Sequence, residues 1–174
     1  MRRRAVNFGT FLFLFSFVLN GCLNPFAPEL GDPSQSIWTK QQTIGELLEN
    51  FKNAYNFQDS LRYAATLATN FIFYYYDVEN EREDQWGRDT DLKATGGLFR
   101  SFDQVRLIWY AIPPAIAEFS AVDSSLEFDV SFNLFLYGSG GASSYELYGF
   151  ARFKVRKDAG DSFRILSWKD NTVF

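Results

Sequence analysis

The chain has 174 residues, enough for one domain with a real core plus appendages and too short for two ordinary domains. It contains no histidine and one cysteine, Cys22, which excludes Ser-His-Asp and Cys-His catalysis, His-based zinc sites, c-type haem attachment and any internal disulfide. Hydrophobic residues make up 47% and aromatic residues 19%, so the chain can bury enough apolar surface to fold, while a net charge of −4 lacks the clustered basic excess that nucleic-acid phosphates demand.

Arg2, Arg3 and Arg4 precede an apolar run at 5–19 that ends in Leu19-Asn20-Gly21-Cys22. The run is shorter than the ~20 residues of a spanning helix. A charged start, an apolar middle and a small residue before the cut have the form of a secretory signal, which is excluded from the fold. Its last four residues resemble the lipobox of bacterial lipoproteins, although Asn20 departs from the usual small or β-branched residue at its place. The resemblance implies cleavage before Cys22 and diacylation of that residue as the mature N-terminus. The alternative is a free, buried cysteine after an ordinary signal or a short anchor. Acyl chains contributing ~0.8 kcal/mol per buried CH₂ would anchor the protein without spanning the membrane. The expected organisation is a signal at 1–21, an acylated cysteine and tether at 22–36 carrying Pro25, Pro28 and Pro33, and one domain at 37–174. The expected location is the bacterial envelope, on the outer membrane facing the periplasm.

Thr43 and Glu46 form a capping box before Ile44, Leu47, Leu48, Phe51, Ala54 and Tyr55, which predicts an amphipathic helix ending near Gln58. Asp59 or Ser60 caps a second, shorter helix through Leu61, Ala64, Ala65, Leu67 and Ala68. The aromatic run at 71–76 predicts a strand, closed by the charged segment 77–84. A third helix is expected over 86–99, with Gly96 and Gly97 making its end uncertain. The period then changes to two, and strands are expected at 105–112, 126–137, 145–157 and 163–170. Pro113 and Pro114 stop the first of these, a Gly and Ser rich loop at 138–144 joins the second to the third, and a turn at 158–161 precedes the last.

This order predicts an α+β fold in which three N-terminal helices pack on a strongly curved, mainly antiparallel sheet. Together with the aromatic first strand, Trp86-Gly87-Arg88 at the third helix and Phe163-Arg164-Ile165-Leu166-Ser167-Trp168-Lys169-Asp170 at the end, it resembles the nuclear transport factor 2-like superfamily, and within it bacterial lipoproteins of unassigned function. The resemblance covers about 43–170. It implies a cone-shaped domain whose cavity some members use for catalysis and others for binding, and it implies that dimers are common.

Enzymatic relatives use an Asp or His base inside the cone, so a buried Asp of raised pKa would be required here. Glu127 and Asp129 share a strand face with Ser131 and Asn133, opposite Phe128, Val130 and Phe132. With Glu146, Arg152, Lys154 and Arg156 they read as a solvated cross-strand charge ladder. The resemblance would put Trp86, Arg88, Trp109, Trp168 and Asp170 at the cavity or its mouth. The competing reading makes the tryptophans core and pairs Arg88 with Asp170 or a neighbouring acid. The acidic cluster Asp77, Glu79, Glu81, Glu83 and Asp84 lacks the spacing of a calcium loop and reads as solvated. Gly138, Gly140 and Gly141 lie in a hairpin connection with no following helix to cradle phosphate.

These readings favour an exported, membrane-anchored, non-catalytic binding or interaction module with an apolar ligand cavity and no cofactor or metal. A small apolar molecule, a protein or a second copy of the chain are the candidate partners, and nucleic acid is not. The rival is an isomerase, cyclase or hydratase using a buried Asp base, and a third reading is a purely structural envelope role.

Overall fold

The structure, a computed structural model, describes residues 37–110, 118–120, 124–138 and 144–171. The signal, Cys22 and the tether lie outside the described residues, as do Pro113, Pro114 and most of the loop at 138–144. Residues 36–174 form one compact unit. The described core lies wholly within it, and a unit with its own hydrophobic core folds independently.

Helix α1 (Ile44–Asn56) starts as its capping residues dictate: the Glu46 amide donates to Thr43 Oγ1 at 3.1 Å, and Glu46 Oε2 reaches back to accept from the Gln42 amide at 2.8 Å. Its apolar stripe buries Leu47, Leu48, Phe51, Ala54 and Tyr55. Helix α2 (Ser60–Ala64) is capped by Asp59, which accepts from the amides of Leu61 and Arg62. It stops earlier than its apolar residues suggest. Leu67 and Ala68 belong instead to strand β1 (Leu67–Asp77), where Leu67 pairs with Ile165.

The charged segment after β1 is not simply a loop. It turns at 78–81 and returns as strand β2 (Arg82–Gly87), antiparallel to β1. Trp86 is therefore a strand residue opposite Phe73, and helix α3 (Arg88–Ser101) begins two residues after it, with Gly87 as its N-cap. Gly96 and Gly97 do not end α3. Gly96 is buried, and a Cβ there would lie 3.3 Å from the Arg100 guanidinium, the movable end of an exposed side chain. Gln58, in the left-handed region at φ 53°, ends α1 and donates through Nε2 to the carbonyls of Phe99 and Phe102, at 2.6 and 2.8 Å. That side chain ties the end of α1 to the end of α3.

Strands β3 (Gln104–Trp109), β4 (Glu118–Ser120), β5 (Ser125–Tyr137), β6 (Ser144–Lys157) and β7 (Phe163–Asp170) complete the sheet. The order is β2-β1-β7-β6-β5-β3, with β4 also paired to β5. β1 and β7 run parallel while the other pairs are antiparallel, so the sheet is mixed. Register shifts occur between Leu67 and Ile72 against β7 and between Lys154 and Val155 of β6. Such bulges bend a strand and sharpen its twist, which curves the sheet around the helices.

Phe128, Phe153 and Trp168 lie side by side across β5, β6 and β7 on the face that meets the helices. Phe51 of α1 sits over them, with ring centroids 5.8 Å from Phe153 and 5.7 Å from Trp168. On the other face, Asp129 and Arg152 form a two-pronged ion pair at 2.7 and 2.8 Å, and Lys154 lies 3.6 Å from Glu127. The Arg152 guanidinium holds the Asp129 carboxyl below the usual range. Among the described residues no helix is long and apolar enough to cross a membrane.

Candidate ligand cavity

Alternation places every second residue of β5, β6 and β7 on the concave face. The end of this face nearest α3 is not filled by side chains. A cavity of about 500 Å³ opens there, lined by Tyr55 of α1, Leu98 of α3, Phe73 of β1, Phe132 and Leu134 of β5, Leu147 of β6 and Trp168 of β7. Asp170, one of two acidic residues at its border, pairs with Ala151 in register and so shares the concave face. Glu146 and Tyr148 also border the cavity, but by register they belong to the outer face, where Glu146 Oε1 accepts from Asn133 Nδ2 at 2.8 Å. An apolar cavity of this size with few polar groups suits a small organic molecule.

A polar cluster stands behind the Tyr55 wall. Asp91, on the inward face of α3 and only 4% exposed, accepts from the Tyr63 hydroxyl at Oδ2 (2.6 Å) and from Trp86 Nε1 at Oδ1 (3.2 Å). Burial pushes the Asp91 carboxyl above the usual range, against the two hydrogen bonds that pull it down. Burial also pushes the Tyr63 and Tyr55 hydroxyls up, reinforced by the neighbouring Asp91 charge. Asp91 has the raised pKa expected of an acid or base. Yet both its oxygens are occupied, it is not among the cavity-lining residues, and Tyr63 beside it is fully buried. Its work is to join α2, α3 and β2 behind the cavity.

The structure divides the five candidate site residues. Trp168 and Asp170 line the cavity. Trp86 stacks on Phe73 at 4.7 Å and spends its N–H on Asp91. Trp109 packs against Phe51 and donates to the Leu48 carbonyl at 3.0 Å. Arg88 is directed to α2, donating to the Ala64 carbonyl at 2.9 Å. Trp38 packs on the core beside Phe57, away from the lining, with the Arg62 guanidinium 4.9 Å over its ring.

Tyr55, Tyr63, Asp91 and Thr95 do not stand out in the sequence as polar residues of interest. A signal existed: Asp91 lies four residues before Thr95 and eight before Phe99, which places a carboxylate on the buried face of α3. Among the described residues no group of three or more Asp, Glu, Cys or His is placed to hold a metal ion.

No family model matches the chain, and no curated protein matches it by sequence. Solved structures do match. One is a candidate scytalone dehydratase from Novosphingobium aromaticivorans, 14% identical, with a TM-score of 0.61 over 75% of this chain and 82% of that one. A second is a nuclear transport factor 2-like superfamily protein from Salmonella enterica serovar Typhimurium, 12% identical, with a TM-score of 0.60 over 77% and 91%. A third is a type 2 hexachlorocyclohexane dehydrochlorinase, 8% identical, with a TM-score of 0.58 over 75% and 83%. At these identities the likeness is one of architecture, and the chain has the nuclear transport factor 2-like fold, with helices packed on a curved mixed sheet.

Proposed function

We propose that this chain is an exported lipoprotein, attached through Cys22, whose domain binds a small apolar molecule in the cavity between α1, α3 and the concave sheet. The observation that supports binding is the cavity itself: about 500 Å³ left open in a domain otherwise rich in close aromatic contacts, and walled by Phe73, Leu98, Phe132, Leu134, Leu147 and Trp168. A concave, mostly apolar cleft of this size with a few polar groups at its border is the usual form of a small-molecule site.

The test uses residues 36–174 and the neutral probe N-phenyl-1-naphthylamine. Saturable enhancement of the probe's emission, with quenching of protein tryptophan fluorescence, is the expected result. Trp168→Phe should reduce the quenching, and Trp38→Phe should retain it. Linear, non-saturable uptake of the probe would defeat the binding reading.

A second reading is acid-base chemistry on the bound molecule. Asp170 borders the apolar cavity, and such chemistry uses a carboxylate beside the bound molecule. The dehydratase and dehydrochlorinase named among the structural neighbours point the same way. Conversion of a bound molecule that Asp170→Asn abolishes without loss of binding would establish it.

A further inference from the structure

We infer that the end of the domain at which the chain enters, built from Ile37, Trp38, Phe57 and Leu61 with Arg62, seats on the surface of the lipid bilayer that holds Cys22; this goes beyond the cavity and rests on the anchored reading above. Leu61, 84% exposed, is the most exposed large apolar side chain among the described residues, and Phe57 and Ile37 are 61% and 53% exposed. Single exposed apolar residues are ordinary, whereas a group of them marks a contact surface. These belong together. The Trp38 ring meets Phe57 edge-on at 6.2 Å, the Arg62 guanidinium stands 4.9 Å over the same ring, and Asn53 Nδ2 donates to the Ile37 carbonyl at 3.2 Å, which fixes the entering chain against α1. The acid among them, Asp59, is turned onto the amides of Leu61 and Arg62 as the cap of α2. The core does not call for these side chains: α2 buries Tyr63, while Leu61 and Phe57 are left outside it.

The place of this surface in the chain says what covers it. Ile37 directly follows the 15 residues 22–36 that join the domain to Cys22. A segment of that length spans roughly 20 Å as a coil and at most about 50 Å when stretched, so the end of the domain held nearest the bilayer is the one that carries Ile37 and Trp38. Attachment turns seating into an intramolecular step at a high effective concentration of lipid, where a few apolar side chains suffice. The composition fits the headgroup region. An indole, with an apolar body and a polar edge, settles at the boundary between acyl chains and water, Arg62 keeps its charge among the headgroups, and Leu61, Phe57 and Ile37 enter the acyl boundary. A second copy or a soluble partner gains nothing from this placement, because the tether fixes the distance to lipid alone.

The experiment attaches residues 22–174, in which Cys22 is the single thiol, to maleimide-bearing phospholipid in phosphatidylcholine vesicles, and compares ordinary with brominated acyl chains as quenchers of tryptophan emission. Part of the emission should be quenched, and Trp38→Phe should remove that quenching, since Trp86, Trp109 and Trp168 lie elsewhere in the fold, on β2, β3 and β7. Leu61→Ser and Phe57→Ser, at exposed positions, should each lower the ratio of seated to free domain about tenfold with Trp38 in place, as the loss of one large apolar contact allows. Quenching that persists in Trp38→Phe, or that ignores both serine variants, would overturn the inference, and so would its absence. If quenching is absent and Leu61→Ser dissociates a dimer in sedimentation, the surface belongs to a second copy. If quenching is absent and Trp38 is shielded from acrylamide in residues 22–174 but open in residues 36–174, the surface belongs to the tether. Chemical coupling replaces acylation, so absent quenching removes this inference alone, whereas retention of exported Cys22→Ser on washed membranes removes the anchored reading and this one with it.

Discussion

Replacing Phe153 by alanine tests the register on which every facing argument depends. Phe153 is fully buried, between Phe128 and Trp168 in the cross-strand row. Its ring lies 5.5 Å from Trp168, 5.8 Å from Phe51, 5.9 Å from Phe128 and 6.0 Å from Trp109, centroid to centroid. Truncation removes the transfer free energy of a buried benzyl group and leaves a void that four large rings on three strands and a helix cannot readily close. Phe→Ala at such a site costs ~3–5 kcal/mol, and the stiffness of these walls places the effect in the upper half of that range. The next residue is the control: the Lys154 side chain is 30% exposed and its ion pair with Glu127 spans 3.6 Å, so Lys154→Ala should cost at most about 1 kcal/mol. Urea unfolding of both variants at an unchanged slope provides the measurement. Equal losses at the two positions would mean that β6 is displaced by one residue, putting Phe153 on the outer face with Asp129 and Arg152.

Asp91 supplies a pH-dependent prediction. Its carboxyl is raised in the folded protein, chiefly by burial, so its stabilising contribution is present below the ordinary aspartate pKa and is lost as pH rises through the raised value. Asp91→Asn should therefore become progressively more stable relative to the unaltered protein as pH rises from the acid range to neutrality; parallel stability curves for the two proteins would refute this. Cys22→Ser should release the exported protein from the membrane fraction without affecting the domain, and retention on membranes after a carbonate wash would rule out the lipid anchor.

Local signals survived where one element contained its own instructions. Thr43 and Glu46 cap α1 within a single turn, and the alternation of Leu126, Phe128, Val130 and Phe132 against Glu127, Asp129 and Ser131 defines both faces of β5 without reference to any other strand. The two-residue spacing of Trp168 and Asp170 likewise places them on one face of β7, because side chains alternate along any strand.

Elsewhere the neighbours decided. The segment Arg82–Gly87 has no apolar alternation, and it becomes a strand because β1 offers a free edge for its backbone to bond. Leu67 fits a helix or a strand equally by hydropathy, and pairing with Ile165, distant in sequence, makes it a strand residue. Trp86, Trp109 and Arg88 carry side chains suited to a binding site, but each finds its partner on another element, at Asp91, the Leu48 carbonyl and the Ala64 carbonyl. The sequence by itself determined the periods, the caps and the facing of the long strands, because these depend on residues a turn or two apart. Only the tertiary structure decided which polar groups hold helices to sheet and which border the cavity, because a hydrogen bond made across the fold leaves no trace in local spacing.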